Sequence, residues 1–367
     1  MRRGGKGIGR WLGCLALGVL AWLTAVAAPG WVSRSPSTRP TARPPAFSHV
    51  FVIMLENQSP AVLASPEAAD LRRLAAQYAY DTDYFGVTHP SLPNYVAAVT
   101  GRTGGTHSDN PTQRFPFPSL PAQLDRHGIS WQAAMEGLPY PGYPGNWYPP
   151  APPGTPPTTP PADARYAKKH DPFLLLTGLA PHDASRVVPL DVLAGELRSG
   201  NVPRFVWISP DLCHDMHGQP DAPGASCPES RPAQLVAAAD HFVRTWVERI
   251  QHSAAWTGNA VIFVVWDEGA GSPWPPTPPN LWRYLAAGPG APPVWPAVPG
   301  LLRIGGGRAP LIVIARNGPR HLQAAIWADH YSILKTLEAA WNLPYLGHAR
   351  DADVPLLTPL VVSSRPT

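Results

Sequence analysis

Cysteine is scarce in this chain, which has only 3 cysteines among 367 residues. Cys14 lies in an apolar N-terminal segment, so Cys213 and Cys227 form the remaining pair. They lack the C-x-x-C spacing that is typical of a cysteine metal site. Because two such cysteines in an oxidising compartment usually form a disulfide, we predict a Cys213–Cys227 bond that closes a local loop.

Net positive charge is also lacking once the first residues are set aside. The formal net charge is +4. It is supplied entirely by basic residues near the N-terminus: Arg2, Arg3, Lys6 and Arg10. The rest of the chain is therefore neutral. A neutral chain lacks the basic excess of a nucleic-acid binder, so we expect no nucleic-acid partner.

The sequence also contains no internal repeat and no G-x-S-x-G motif. Without that motif, a serine esterase of the usual α/β-hydrolase type lacks the turn that presents its nucleophile. No second compact domain is indicated, and we expect a single catalytic domain over residues 47–360.

The first 28 residues run from a basic start through an apolar stretch to an A-x-A pattern at residues 25–27. This pattern predicts a signal peptide. The alternative is an uncleaved N-terminal anchor, because the apolar stretch is nearly long enough to span a bilayer. In both cases we expect a secreted or extracytoplasmic protein. Residues 29–46 are rich in proline and predict a linker.

Short apolar runs rich in β-branched residues alternate with helical patterns along the chain. Such runs predict strands that are buried on both faces of a parallel sheet. They cover residues 49–55, 204–209, 260–266 and 310–315. Helices are predicted from about residue 65, with Ser65 as N-cap, and over residues 189–198, 232–252 and 330–341. The alternation predicts a three-layer α/β/α sandwich with a mostly parallel sheet.

Proline concentrates in two segments, residues 139–161 and 273–299. Segments so rich in proline form neither helices nor central strands. Each is a candidate lid over the site or, equally, a plain surface excursion.

Acidic residues stand directly after the two most apolar runs. Glu56 and Asn57 follow residues 49–55, and Asp267 and Glu268 follow residues 260–266. Open α/β sheets place their ligand sites at the carboxyl ends of strands. An oxygen-rich set there suits a hard divalent ion such as Mg²⁺, Mn²⁺ or Ca²⁺. Either pair alone could instead be a helix cap or a solvated turn.

Ser91 lies in the segment THPSLPNY, just before a helical pattern. A serine at such a place can direct its hydroxyl, with neighbouring backbone N–H groups, at an anion, and Pro93 suits the first helical turn. The simpler interpretation is an N-cap. We favour a metal-activated serine that attacks phosphorus, because a cation lowers the pKa of the alcohol and neutralises developing charge.

Five segments occur in the order of a known family: VIMLENQS, FGVTHPSLPNYVAAVTG, SPDLCHDMHG, VVWDEG and DHYSILKTLEAAWNLPYLG. With them the chain resembles the phosphoesterase family, which groups bacterial phospholipases C with secreted acid phosphatases in the alkaline phosphatase superfamily. The resemblance covers nearly all of the chain after the linker, and it implies an alkaline phosphatase-like fold. The segment SPDLCHDMHG departs from the family pattern at Asp211, where asparagine is expected.

The resemblance also implies roles for individual residues. The implied metal ligands are Glu56, Asn57, Ser91, Asp267 and Glu268. Ser91 is in addition the implied nucleophile, which becomes phosphorylated. The implied substrate-binding residues are Asn94, His170 and Asp215, and the implied catalytic histidines are His217 and His330. We expect one divalent metal ion, with Mg²⁺, Mn²⁺ or Ca²⁺ favoured and Zn²⁺ as an alternative.

The resemblance implies an acid phosphatase that hydrolyses phosphate monoesters through a phosphoserine intermediate. The alternative enzyme is a phospholipase C or another phosphodiesterase. The alternative of another class is a non-catalytic cell-surface binding protein with a relic site. We expect a small phosphoester as the partner, and a membrane only through an uncleaved leader or a phospholipid substrate.

Overall fold

The apolar run after the linker forms strand β1 (Val50–Leu55), in which every residue is buried. The structure, a computed structural model, describes residues 42–179, 181–270 and 305–363. The predicted leader, residues 29–41 of the predicted linker and the proline-rich segment 273–299 lie outside the described residues. Residues 139–161 form neither a helix nor a central strand, as predicted.

Further strands follow β1 along the described chain. They are β2 (Ala79–Asp81), β3 (Tyr84–Phe85), β4 (Trp131–Met135), β5 (Trp147–Tyr148), β6 (Tyr166–Ala167), β7 (Val187–Pro189), β8 (Phe205–Ser209), β9 (Val261–Trp266), β10 (Leu311–Ala315), β11 (Leu322–Ala324) and β12 (Ala328–Asp329). Eight of the described strands form one sheet in the order β11-β2-β10-β9-β1-β8-β4-β7, and β12-β3 and β5-β6 form two small sheets.

The centre of the large sheet is parallel. Strand β1 lies between β9 and β8 and runs parallel to both, and β4 and β7 continue in the same direction. Strand β10 forms where residues 310–315 predict a strand, but it runs antiparallel to β9 and β2. An apolar run that is buried on both faces does not encode its direction, so the sequence could not distinguish these cases. The mostly parallel sheet is confirmed.

The described chain contains seven α-helices, and six of them form two groups with helix contacts inside each group. The helices are α1 (Ala69–Gln77), α2 (Ser91–Thr100), α3 (Leu120–Arg126), α4 (Leu190–Ser199), α5 (Pro232–Gln251), α6 (His330–Ala340) and α7 (Thr358–Val361). Helix α5 contacts α1 and α4, whereas α2 contacts α3 and α6. This grouping matches the two helical layers of an α/β/α sandwich. No described helix is long and apolar enough to cross a membrane.

The helix predicted from residue 65 begins four residues later, at Ala69. Ser65 follows a short 3₁₀ helix, Pro60–Ala64, and its hydroxyl donates to the Glu67 carboxylate instead of capping a helix. The first N–H groups of α1 are satisfied by a distant residue. Asp240 of α5 accepts hydrogen bonds from the N–H groups of Asp70 and Leu71, at 3.1 and 2.7 Å. Sequence patterns cannot show such a cap, because its acceptor comes from another part of the fold.

The predicted disulfide between Cys213 and Cys227 is confirmed, with a Cα–Cα distance of 5.4 Å. It brackets the segment that carries Asp215 and His217. Inside this loop the buried side chain of Gln219 accepts hydrogen bonds from the N–H groups of Ser226 and Cys227, at 2.7 and 3.1 Å. The disulfide and this side chain together hold the ends of the loop.

Candidate active site

Two neighbouring strands bring the acidic pairs together. In the β1–β9 register Leu55 pairs with Trp266, so the residues that follow each strand lie side by side. The backbone N–H of Asn57 donates to Asp267 Oδ1 at 2.9 Å, and the Asn57 side-chain amide donates to Glu56 Oε2 at 3.0 Å. Asn57 has a positive φ of 45°, a conformation that asparagine tolerates better than most residues. The sharp turn that results directs the polar groups of both strands to one place.

Ser91 faces these carboxylates from the start of helix α2. Its Oγ donates a hydrogen bond to Glu56 Oε2 at 2.8 Å, and the residue is only 2% exposed. Pro90 is the N-cap, so Ser91 is the first helical residue rather than the residue before the helix. Ser91 thus lies in the first turn of α2, the end of a helix that favours an anion.

Asn94, on the next turn of the helix, is fully buried, and its side chain holds the loop before Ser91 and the Glu268 carboxylate in place. Its Oδ1 accepts from the N–H groups of Val87 and Thr88, at 2.8 and 3.1 Å. Its amide donates to the Thr88 carbonyl at 2.7 Å and to Glu268 Oε2 at 3.1 Å. The resemblance implies a phosphate contact for Asn94, but here its donors are engaged by protein. Such a contact would require one of these hydrogen bonds to break.

Gly86 permits the close approach of this loop to the acidic pair. A Cβ atom at Gly86 would lie 2.7 Å from the Asp267 carbonyl oxygen and 2.8 Å from the Glu268 Cα. Contacts this short with backbone atoms cannot be relieved by a side-chain rotation. The absence of a side chain at residue 86 therefore fixes how the loop before Ser91 packs against Asp267 and Glu268.

The loop after β8 supplies another carboxylate, Asp215, which contacts His170 of the 3₁₀ helix Lys168–His170. The Glu56 N–H donates to the Asp215 carbonyl at 2.8 Å, which holds the loop against the end of β1. The ring of His170 lies between two carboxylates, 3.2 Å from Glu56 Oε1 and 3.2 Å from Asp215 Oδ2. Tyr95 stacks on the other side of this ring, with centroids 5.2 Å apart. The structure thus brings His170 and Asp215 next to Glu56.

His217 is held in one tautomer by its neighbours. Its Nδ1 is 2.9 Å from the Gly218 carbonyl and its Nε2 is 3.1 Å from Lys169 Nζ. A carbonyl only accepts and an ammonium group only donates, so Nδ1 carries the proton and Nε2 presents its lone pair. Burial, together with the charge of Lys169, lowers the pKa of His217 to about 4. His217 is therefore a neutral ring at neutral pH.

Sequence analysis missed Lys169 and Asp109, which lie in the same site. Lys169 Nζ donates to Asp109 Oδ2 at 2.9 Å, and Asp109 Oδ1 accepts from the N–H of Leu92 at 2.9 Å. Lys169 directly precedes His170 in the segment YAKKHDPF, which was the available signal. Lysine is almost never fully buried without a partner, so composition gave no reason to place it in a site.

His330 lies behind the acidic pair and is fully buried. Its Nε2 is 2.6 Å from the Asp267 carbonyl oxygen and its Nδ1 is 2.7 Å from the Tyr84 hydroxyl. Burial lowers its pKa to about 4. Both ring nitrogens are engaged by protein, so the structure places His330 where it supports the backbone of Asp267. A direct contact with phosphate would again require a hydrogen bond to break.

Among the described residues, Lys169 offsets only part of the negative charge of the carboxylates in this site. Burial, and then neighbouring carboxylates, raise the pKa of Glu56 and raise that of Asp267 to about 8. Burial also raises the pKa values of Asp215 and Glu268. Three buried oxygens of the site have no hydrogen-bond partner among the described residues: Glu56 Oε1, Asp215 Oδ2 and Asp267 Oδ2. Such groups are costly without a counter-charge, so this donor set fits a divalent cation.

One group of possible metal ligands lies within the site. Atoms of Glu56, His170 and His217 lie within 4.8 Å of one another. This group shares Glu56 with the implied ligand set and adds two histidines to it. Glu268 is also held by protein, because its Oε2 lies 2.9 Å from His89 Nδ1.

A second group of possible metal ligands lies after strands β4 and β8. It comprises Glu136, Asp211 and His214, whose ligand atoms also lie within 4.8 Å of one another. His214 Nδ1 is 2.8 Å from Glu136 Oε2, and Arg165 Nε is 2.5 Å from Asp211 Oδ2. Glu136 and His214 also line an open pocket of about 470 Å³. In this second group each carboxylate already has a cationic or hydrogen-bonding partner.

A mixed, largely parallel sheet with polar residues at its strand ends places the protein among α/β sandwich proteins. The phosphonate monoester hydrolase of Agrobacterium radiobacter shares this fold, with a TM-score of 0.50 and 15% identity over 87% of this chain and 78% of that one. This likeness concerns the fold alone. The chain itself belongs to the phosphoesterase family, whose model matches residues 62–344. The resemblance that the motifs indicated is thereby confirmed.

Two relatives illustrate the family. The phosphate-repressible acid phosphatase of Penicillium chrysogenum is 26% identical over 311 residues, which are 82% of this chain and 61% of that protein. The phosphatidylinositol-3-phosphatase of Mycobacterium tuberculosis is 26% identical over 343 residues, which are 92% of this chain and 91% of that protein. The chain thus spans less than two thirds of the fungal relative and nearly the whole of the mycobacterial one.

Proposed function

We propose that this protein is a metal-dependent phosphoester hydrolase that acts on phosphate monoesters, as an acid phosphatase, with Ser91 as the nucleophile. The observation that carries the proposal is the 2.8 Å hydrogen bond from Ser91 Oγ to Glu56, a fully buried carboxylate. A serine hydroxyl at a helix start, beside carboxylates whose charge is offset only in part, suits a metal-assisted attack on phosphorus.

The family relatives support the same choice of reaction. Both relatives named above are phosphatases by name, one an acid phosphatase and one a phosphatase of a phosphorylated inositol lipid. A phosphatase hydrolyses a phosphate monoester and releases inorganic phosphate. We therefore rank monoester hydrolysis above the phospholipase C and phosphodiesterase alternatives.

The proposed reaction is a double displacement. Ser91 Oγ loses its proton and attacks phosphorus, the Oγ–P bond forms, and the bond from phosphorus to the ester oxygen breaks as this oxygen takes up a proton and leaves as the alcohol. Water then attacks phosphorus, the Oγ–P bond breaks, and inorganic phosphate is released. Glu56 Oε2 accepts the hydrogen bond that orients the hydroxyl. A divalent cation bound here would lower the pKa of the serine hydroxyl and offset the charge on the phosphoryl oxygens.

The test compares hydrolysis of p-nitrophenyl phosphate with that of p-nitrophenyl phosphorylcholine, from about pH 4 to about pH 9. Each rate is measured after chelation and again after Mg²⁺, Mn²⁺, Ca²⁺ or Zn²⁺ is added back. We expect faster release from the monoester, an optimum below neutral pH, and loss of activity in chelator that the added ion restores.

Each alternative has its own outcome in this assay. Preference for the choline diester would move the protein to the phosphodiesterase alternative. Hydrolysis of neither substrate, with every ion and at every pH, would contradict the enzymatic proposal and favour a binding protein with a relic site. Full activity in chelator would contradict the metal dependence.

We further propose that the protein acts outside the cytoplasm. The Cys213–Cys227 disulfide supports this location, because such bonds persist mainly in oxidising compartments. The predicted leader at residues 1–28 supports it independently. Fractionation of expressing cells tests it: enzyme found only in the cytosol, with two free thiols, would contradict the proposal.

A further inference from the structure

Lys169 is a buried lysine that the proposed reaction has not yet used. Its side chain is only 8% exposed. The ammonium group lies between Asp109 Oδ2, at 2.9 Å, and His217 Nε2, at 3.1 Å. Burial of an ammonium group is unfavourable unless it is paired and hydrogen-bonded, so its position in the site requires a reason.

The third N–H of this ammonium group has no protein partner among the described residues. A lysine ammonium has three donors, and the hydrogen bonds in the described chain engage two of them, with Asp109 and with His217. One donor therefore remains for a further acceptor. The site is where an acceptor would arrive, because Glu56, His170 and His217 lie together there.

Lys169 is also tied to the nucleophile's helix. Asp109 accepts from Lys169 through Oδ2 and from the N–H of Leu92 through Oδ1, at 2.9 Å in each case. Leu92 directly follows Ser91 in the chain. One carboxylate thus fixes both the ammonium group and the first turn of α2, so the two move as a unit.

If the four carboxyl groups of the site are ionised when a metal ion is bound, one divalent ion offsets only part of their negative charge. Four buried acidic residues, Glu56, Asp215, Asp267 and Glu268, surround the site, and a phosphate monoester adds further negative charge. His217 cannot offset it, because its Nε2 faces an ammonium group and must be unprotonated. Lys169 carries a positive charge into this cluster.

We propose that Lys169 is a substrate-binding residue, whose free N–H donates to a non-bridging oxygen of the phosphoryl group. This inference rests on the proposed function and extends it. One metal ion and one lysine would then share the phosphoryl charge, a task that a second metal ion performs in two-metal sites.

The experiment measures binding of inorganic phosphate and of Mn²⁺ to the purified full chain by calorimetry. It compares wild type with Lys169→Met, Lys169→Arg and Lys168→Met. The last variant is the matched control, because Lys168 is also buried but donates to the Pro144 carbonyl, at 2.9 Å.

We expect Lys169→Met to weaken phosphate binding to the Mn²⁺-loaded protein by about 10- to 100-fold, as expected for a lost charge-assisted hydrogen bond. The same variant should bind Mn²⁺ more tightly, because a repulsive charge has been removed from the carboxylates. Lys169→Arg should keep phosphate affinity within about tenfold of wild type, since its charge and donors remain. Lys168→Met should change neither affinity.

The two opposite effects separate a contact with phosphate from a purely structural role. A structural defect would weaken both Mn²⁺ and phosphate binding, and that result would overturn the inference. Wild-type phosphate affinity in Lys169→Met would also overturn it, while hydrolysis of p-nitrophenyl phosphate by the wild type would leave the proposed function intact. A wild-type protein that hydrolyses no phosphoester would instead contradict the function.

Discussion

Two clusters of acidic residues lie at the same edge of the sheet, but their carboxylates have different partners. The catalytic carboxylate cluster, defined as Glu56, Asp215, Asp267 and Glu268, follows strands β1 and β9 and the loop after β8. The Arg165 network, defined as Glu136, Arg165, Asp211 and His214, combines Glu136 after β4 with Asp211 and His214 after β8, and Arg165 directly precedes β6. In the first cluster three buried oxygens have no hydrogen-bond partner in the described part of the chain. In the second, Asp211 pairs with Arg165 and Glu136 pairs with His214.

The two clusters differ in which charged groups offset the unfavourable burial of their carboxylates. Burial and the nearby Glu136 raise the pKa of Asp211, but His214 and Arg165 act in the opposite direction. No arginine contributes in this way to Glu56, whose pKa is raised by burial and by three other carboxyl groups and lowered by Lys169. A buried carboxylate can pair with a cation within the chain, bind one from solution or keep its proton. We propose that the catalytic carboxylate cluster binds a cation from solution.

The largest expected effect comes from substitution of Ser91, whose hydroxyl donates to Glu56 of the catalytic carboxylate cluster. Ser91→Ala should lower kcat/KM for p-nitrophenyl phosphate by about 10³-fold or more, as expected when a nucleophile is removed. Its free energy of unfolding should stay within about 1 kcal/mol of wild type, because one hydrogen bond is lost. Ser253→Ala at the end of α5 serves as the control serine. Activity in Ser91→Ala within tenfold of wild type would contradict the nucleophile assignment.

The next effect tests whether the catalytic carboxylate cluster depends on a cation. Mn²⁺ at about 100 times its Kd should raise the free energy of unfolding of the wild type by about 2.7 kcal/mol, measured by urea titration with and without chelator. In Asp267→Asn most of this increase should disappear, since the substitution removes one charge from the site. An equal increase in wild type and variant would show that Asp267 is not part of a cation site.

A substitution in the Arg165 network should lower the free energy of unfolding by an amount that does not depend on a cation. Asp211→Asn should lower the free energy of unfolding by about 1–2 kcal/mol, because Arg165 loses its partner but is 38% exposed and can be solvated. The loss should be the same with and without Mn²⁺. If Asp211→Asn instead removed the Mn²⁺ effect, the three possible ligands Glu136, Asp211 and His214 would themselves be the cation site.

Sequence reasoning predicted the framework of both clusters but not their difference. The apolar runs showed β1, β8 and β9, because strands buried on both faces need continuous β-branched residues. The acidic pairs after β1 and β9 could be placed at strand ends because these apolar runs predicted where each strand ends. Strand β4 (Trp131–Met135) escaped notice, since it is short and contains Gln132. Without β4, the position of Glu136 at a strand end could not be inferred.

Side-chain partners were the part that the sequence could not show. Lys169, Asp109 and Arg165 are far from their partners in the chain, and their identities as ion-pair residues depend on the folded loops. The same holds for His330 and Asn94. The resemblance implied a substrate contact for Asn94 and a catalytic role for His330. In the structure their amide and ring groups are engaged by Asp267, Tyr84, Glu268 and the loop before Ser91.

The smallest expected effect concerns a third solution to carboxylate burial, in which the group keeps its proton. Burial raises the pKa of Glu338 from 4.5 to about 9, although Arg350 and Lys335 oppose the shift. The folded state therefore holds a proton that the unfolded state loses above its own pKa, so stability is unaffected at acid pH and falls as pH rises towards 9. Glu338→Gln keeps an acceptor for the Leu346 N–H, which donates to Oε1 at 2.9 Å. We expect the variant to unfold like wild type at about pH 4 and to be more stable by about 1 kcal/mol at about pH 5, where the wild type has begun to lose stability as its unfolded state ionises. Urea titrations at the two pH values measure the difference, and an equal or larger gain at the lower pH would show that Glu338 is ionised in the folded protein.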